Sequence, residues 1–129
     1  MRADGPAALF LLLTSVVGTL VSVFAAIHPR STGTEGARDW FWPTWLLLWS
    51  GLAAVFLSGD LFNLYVGFEV FLVASYVLLT LGASPQRVRA GIGYVMVSMA
   101  SSMVFLFALA LVYASVGTVN MAQAGIRME

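Results

Sequence analysis

Four long apolar runs alternate with short polar stretches along this chain: residues 7–27, 40–57, 61–81 and 90–116. Each reaches the length of about 17–25 residues that crosses a bilayer as a helix, and the last exceeds it. In lipid the backbone must satisfy its own hydrogen bonds, so each run is expected to be helical. The first run invites a signal-peptide reading. It is longer than the usual apolar core of about 7–15 residues, and His28-Pro29-Arg30 follow it where small residues would mark cleavage. We read it as a retained helix. Trp40-Phe41-Trp42 opens the second run as an aromatic belt, with Trp45 and Trp49 further in.

The connections differ in character. Residues 28–39 (HPRSTGTEGARD) read as a solvent-exposed loop, and Ser58-Gly59-Asp60 as a tight turn whose Asp60 N-caps the third helix. Residues 82–89 (GASPQRVR) read as a short loop carrying two arginines. The stretch after Gly117 is either a short helix capped by Thr118 or a frayed end. No internal repeat is visible. The expected fold class is therefore all-α: a polytopic membrane domain of four transmembrane helices spanning residues 1–129.

Composition agrees. The chain is 60% hydrophobic and 9% charged, against about 25% charged in a soluble domain. Net charge is zero, and no basic tract suggests nucleic acid. Without cysteine, disulfides and thiolate metal sites are excluded. Lysine is also absent, so six arginines balance the six acids. Arg30, Arg38, Arg87 and Arg89 fall in the first and third loops, while Arg2 and Arg127 lie in the termini. That bias places loops 28–39 and 82–89 in the cytoplasm and both termini outside, across the cell membrane.

One acid breaks the apolar pattern. Glu69 lies eight residues beyond Leu61, roughly 12 Å along a helix and so near the middle of a hydrocarbon slab about 30 Å thick. An acidic residue there costs about 2.5–3.5 kcal/mol unless it is neutral, paired or facing a wet cavity. All three conditions suit a group that handles protons or cations. The bland alternative is a structural carboxylic acid bonded between helices. At 100° per residue Tyr65, Glu69, Leu72 and Tyr76 share a face about 60° wide, so two phenols flank the carboxyl. Tyrosines in bundles more often simply pack. On the fourth run Tyr94, Ser98, Ser101, Ser102 and Phe105 form one stripe. Such hydroxyls can line a wet path, although close helix packing is their commoner use, and Met96, Met99 and Met103 read as packing filler. Asp60 reads as a cap, with a lesser role in admitting ions. His28, Ser31 and Glu35 share a loop without catalytic or ligand spacing. No phosphate loop or metal-ligand pair is present, so no cofactor or metal is expected. With one acid and no histidine at depth, intramembrane hydrolysis is disfavoured.

SGDLFNLYVGFEVFLVASYVLLTLG (58–82) and RAGIGYVMVSMASSMVFLFALALVYASVGTVNMA (89–122) carry a specific resemblance. They resemble the D subunit of the Mrp-type monovalent cation/proton antiporters, within the antiporter-like membrane subunits shared with respiratory complex I. GDLFNLYV followed by FEV and SY carries the choice among those subunits, whereas residues 1–57 match only in their helix pattern. The resemblance implies that this chain is a fragment of a larger helix bundle. It implies that Glu69 lies in a proton path; helical phase and the cap reading, not the resemblance, add Tyr65, Tyr76, Ser98, Ser102 and Asp60 as supporting candidates. It also implies a lysine partner on a later helix, which this chain lacks. The expected partners are the lipid bilayer, other subunits of a multi-subunit antiporter, protons and monovalent cations, sodium first. Two competing readings remain. One is a proton-pumping membrane subunit of a complex I-like NADH:quinone oxidoreductase or membrane hydrogenase. The other is a truncated structural remnant. Neither makes this chain an enzyme in itself.

Overall fold

The computed structural model describes residues 5–28, 35–82 and 84–128. It is all-α, with α1 (Gly5–Ile27), α2 (Glu35–Phe56), α3 (Leu61–Thr80), α4 (Pro85–Val116) and the short α5 (Met121–Met128). Arg2, Arg30 and residues 29–34 of the first loop lie outside the described residues. Among the described residues the only β feature is an isolated antiparallel bridge between Asp60 and Asn120.

Among the described residues three helices, α1, α3 and α4, are long and apolar enough to cross a membrane. The sequence pattern predicts four. The difference is α2, which has 22 residues but crowds Asp39, Pro43, Thr44 and three tryptophans into its first half. The lipid-type surface is plain on α4, where Met96, Val97, Met103, Val104 and Phe107 stand exposed. In water such a face would be an aggregation surface; in a bilayer it is solvated.

Two boundaries differ from the sequence reading. Helix α2 begins at Glu35 and absorbs part of the polar 28–39 stretch. Helix α4 begins at Pro85, inside the expected 82–89 loop. Ser84 caps it by accepting from the Arg87 backbone N–H (3.3 Å), and Pro85 occupies the first turn, where its missing N–H costs nothing. Arg87 reaches back and donates to the Leu81 carbonyl at the end of α3 (2.8 Å).

Neighbouring helices pack antiparallel through small residues. Phe10 stacks on Phe56, the Trp45 indole N–H donates to the Ser22 hydroxyl (2.9 Å), and Gly18 lies flat against Trp49. Between α2 and α3 the backbones themselves meet: a Cβ on Gly51 would lie 2.8 Å from the Phe71 nitrogen, and one on Gly67 would lie 3.0 Å from the Val55 nitrogen. Between α3 and α4, Gly91 admits Thr80 and the Tyr76 ring.

One end of the bundle is clasped. Asp60 caps α3 as expected, its carboxylate accepting from the Asn63 backbone N–H and side-chain amide (both 2.7 Å). Leu61 donates its N–H to the Val119 carbonyl (2.9 Å), and Met121 donates to Gly59 (3.3 Å). The α2–α3 turn is thereby tied to the segment after α4. Gly117, at φ 70°, ends α4 in the left-handed region that glycine adopts freely. Of the two readings of the last stretch, the helix is seen, but its cap is Asn120. Its Oδ1 accepts from Ala122 (3.0 Å) and Gln123 (3.4 Å), while Thr118 accepts from the Asn120 N–H.

Candidate functional site

The α3–α4 hairpin sets the site. α3 is held from behind by the glycine contacts with α2, and the α3–α4 turn brings the Tyr65–Glu69–Tyr76 face opposite the serine stripe. Between them lies a pocket of about 380 Å³. Tyr65, Glu69, Leu72 and Tyr76 line one wall, and Tyr94, Ser98 and Ser102 line the other. Glu69 is half-buried, so its carboxyl is neither sealed in the core nor turned wholly outward.

Hydrogen bonding links the two helices at the carboxyl. The Ser102 hydroxyl donates to Glu69 Oε1. The Tyr65 hydroxyl lies 3.2 Å from the same Ser102 oxygen, and either group could donate. Ser102 is 7% exposed, so it has little water to fall back on and depends on these partners. Behind them the Tyr65 ring rests against Phe105 (5.8 Å between centroids), which in turn meets Phe68 edge-on (6.2 Å).

The other candidates sort by position. Tyr76 and Ser98 line the pocket with Glu69. Asp60 stands apart at the clasped end, engaged as a cap. Ser101, on the same sequence stripe as Ser102, is exposed and donates to its own helix at Val97 (2.9 Å). His28 stacks on Phe24 (4.6 Å) at the end of α1 and meets neither α3 nor α4 at the pocket. Met99 and Met103, which the sequence presents as filler, also line the pocket, beside Val95 and Leu106. Their spacing of three to four residues along α4 carried that signal. Among the described residues no three His, Asp or Glu side chains gather where they could hold a metal ion. Among the described residues the pocket lining contains no arginine or histidine, and its one carboxyl shares the wall with hydroxyls and apolar groups.

Apolar helices packed through glycines, with one carboxyl bridged between two of them, define a polytopic membrane protein with an acid held inside its bundle. Residues 58–126 match the family described as "NADH:quinone oxidoreductase/Mrp antiporter, TM". The chain belongs to that family. It is similar to the D subunit of the Na(+)/H(+) antiporter of Bacillus subtilis (strain 168), with 35% identity over 129 residues, 100% of this chain and 26% of the relative. It is also similar to the D subunit of the probable K(+)/H(+) antiporter of Rhizobium meliloti (strain 1021), with 39% identity over 125 residues, 97% of this chain and 22% of the relative. The corresponding Na(+)/H(+) antiporter subunit of Alkalihalophilus pseudofirmus is 36% identical over 126 residues, 98% of this chain and 25% of the relative. The chain thus spans about a quarter of the length of these relatives.

Proposed function

We propose that this chain is a segment of a cation/proton antiporter subunit in which Glu69 takes up and releases the transported proton. One observation carries the reading. Among the described residues, the single acid of the membrane-spanning helices lies on the wall of a pocket between α3 and α4, within the span that matches the family. A carboxyl that meets the Ser102 hydroxyl can accept a bond as a carboxylate or donate one as an acid, and intramembrane acids of this kind mark ion and proton pathways. Residues 1–129 act as one membrane domain of a larger bundle, and that bundle works with other subunits in the cell membrane. The arginine bias puts residues 28–39 and 82–89 in the cytoplasm and both termini outside. The exchanged cation is monovalent. Sodium is our first choice from the relatives' names, and potassium the alternative from the Rhizobium meliloti relative.

The test is exchange of sodium for protons in membrane vesicles holding the assembled system. Glu69→Gln, which keeps shape but cannot release a proton, abolishes exchange. Glu69→Asp keeps the acid on a shorter arm and retains part of the activity. Undiminished exchange in Glu69→Gln refutes the proposal. The family description also covers NADH:quinone oxidoreductases, which supports a second reading as a redox-driven proton-pumping subunit. Co-purification with flavin or iron–sulfur subunits would select it over the antiporter.

A further inference from the structure

We propose that Tyr65 and Ser102 form a hydrogen-bonded relay that hands protons to Glu69 from the Asp60 end of the α3–α4 pocket. The inference rests on Glu69 being the proton site and adds the route by which the proton arrives. Its basis is a constraint on Ser102. That hydroxyl is buried, owns one proton, and faces two oxygens, Tyr65 Oη and Glu69 Oε1. An ionised carboxylate only accepts, so Ser102 must donate to Glu69 and therefore accept from Tyr65. The chain then runs in one direction, from phenol to serine to carboxylate.

A proton reaching Tyr65 from hydronium in the pocket completes the transfer. The hydronium O–H breaks and a new O–H forms on Tyr65. The original Tyr65 proton passes to Ser102, and the original Ser102 proton passes to Glu69 Oε1. Hydronium becomes water, the carboxylate becomes a carboxylic acid, and both hydroxyls end neutral. The bonds have then reversed: Glu69 donates to Ser102, and Ser102 donates to Tyr65. Release runs the same steps backward: the Tyr65 proton passes to pocket water, the Ser102 proton to Tyr65, and the Glu69 proton to Ser102. Tyr65 lies one helical turn nearer the Asp60 end of α3 than Glu69, so the relay gives the carboxyl an approach from the clasped end of the bundle. Neither the glutamate alone nor a stripe of serines would define such a route. It follows from the two bonds made by one buried hydroxyl.

The experiment compares Tyr65→Phe, Ser102→Ala, the double variant, Ser102→Thr and Glu69→Gln in native membranes. Two readouts are taken: cation-driven proton exchange in vesicles, and the infrared band of the protonated Glu69 carboxyl, assigned by its loss in Glu69→Gln. Tyr65→Phe keeps the ring against Phe105 and removes only the hydroxyl. Each single variant should slow exchange about tenfold, the scale of one charge-assisted hydrogen bond expressed as a rate. The double variant should be no slower than Ser102→Ala, because both changes cut one chain. Ser102→Thr should restore the rate, and Ser102→Ala should move the carboxyl band to higher frequency through lost hydrogen bonding. If the two single effects multiply, or the band stays in place in Ser102→Ala, the relay is overturned while loss of exchange in Glu69→Gln keeps the proton site. Exchange that survives Glu69→Gln overturns both. If Ser102→Ala does not reach the membrane, Tyr65→Phe decides: normal exchange in it overturns the relay, and a tenfold loss with a shifted band supports it.

Discussion

Replacing Gly51 by alanine should separate α2 from α3, and the size of the effect follows from distances at the contact. The added Cβ would lie 2.8 Å from the Phe71 nitrogen, 3.1 Å from its Cα and 3.2 Å from the Gly67 carbonyl oxygen. Atoms of this kind rest at about 3.5–4.0 Å, so the two backbones must part by about 0.7 Å. Every obstacle is main chain, which no rotamer change can move aside. Overpacking of this sort costs about 1–3 kcal/mol. In a bilayer the loss weighs heavily, because helix association there depends on close packing rather than on hydrophobic collapse. Gly93 supplies the control, since a Cβ there meets nothing within 4 Å. Gly93→Ala should be neutral or stabilising by up to about 1 kcal/mol through helix propensity. The assay is equilibrium unfolding of the full chain in detergent micelles titrated with a denaturing detergent, followed by helical circular dichroism. If Gly51→Ala unfolds at the same point as Gly93→Ala, the backbone contact does not hold α2 to α3 and the reasoning fails.

Two further outcomes follow from the same geometry. Asp60→Ala removes the N-cap of α3 and should cost about 1 kcal/mol in that unfolding assay, while Asp60→Asn keeps an acceptor and should cost a few tenths; equal losses would show that charge rather than capping matters. Trp45→Phe deletes the indole donor to Ser22 and should cost about 1 kcal/mol. A loss as large as that of Gly51→Ala would mean that the ring, not the bond, joins α1 to α2.

The parts of the fold legible in the sequence are those set by lipid. Apolar length alone locates α1, α3 and α4, because a spanning backbone has no alternative to a helix. The Asp60 cap is equally readable, since an aspartate after Ser-Gly and before an apolar run has one evident task. Less legible are the places where helices extend into polar sequence. Ser84-Pro85 is a helix start by its own chemistry, but the arginines behind it suggest a loop. The same bias truncates α2, where Glu35 to Asp39 are polar yet helical. Asn120 displaces Thr118 as the cap of α5 for a tertiary reason: the bridge to Asp60 fixes where that helix begins. The candidate site is half legible. Helical phase places Tyr65, Glu69 and Tyr76 on one face, and the structure keeps them together on the pocket wall. Phase cannot distinguish Ser101 from Ser102, adjacent hydroxyls on one stripe, because only the crossing of α3 with α4 determines which of them meets the carboxyl.

The same crossing governs how the chain handles an acid at membrane depth. Glu69 sits on the helix packed on both sides, against α2 through Gly51 and Gly67 and against α4 through Gly91. On the α2 side, close backbone approach at those two glycines leaves no room for a carboxyl. On the α4 side, the glycine contact lies at Thr80 and Tyr76, and the pocket lies between the faces along Glu69. A carboxyl placed on the tight face would have to stay neutral or disrupt the packing. On the open face the Ser102 hydroxyl can donate to it as a carboxylate and accept from it as an acid. The glycines and the glutamate are therefore parts of one arrangement: the small residues hold α3 against α2, and the acid stands on the opposite side, facing the pocket and Ser102.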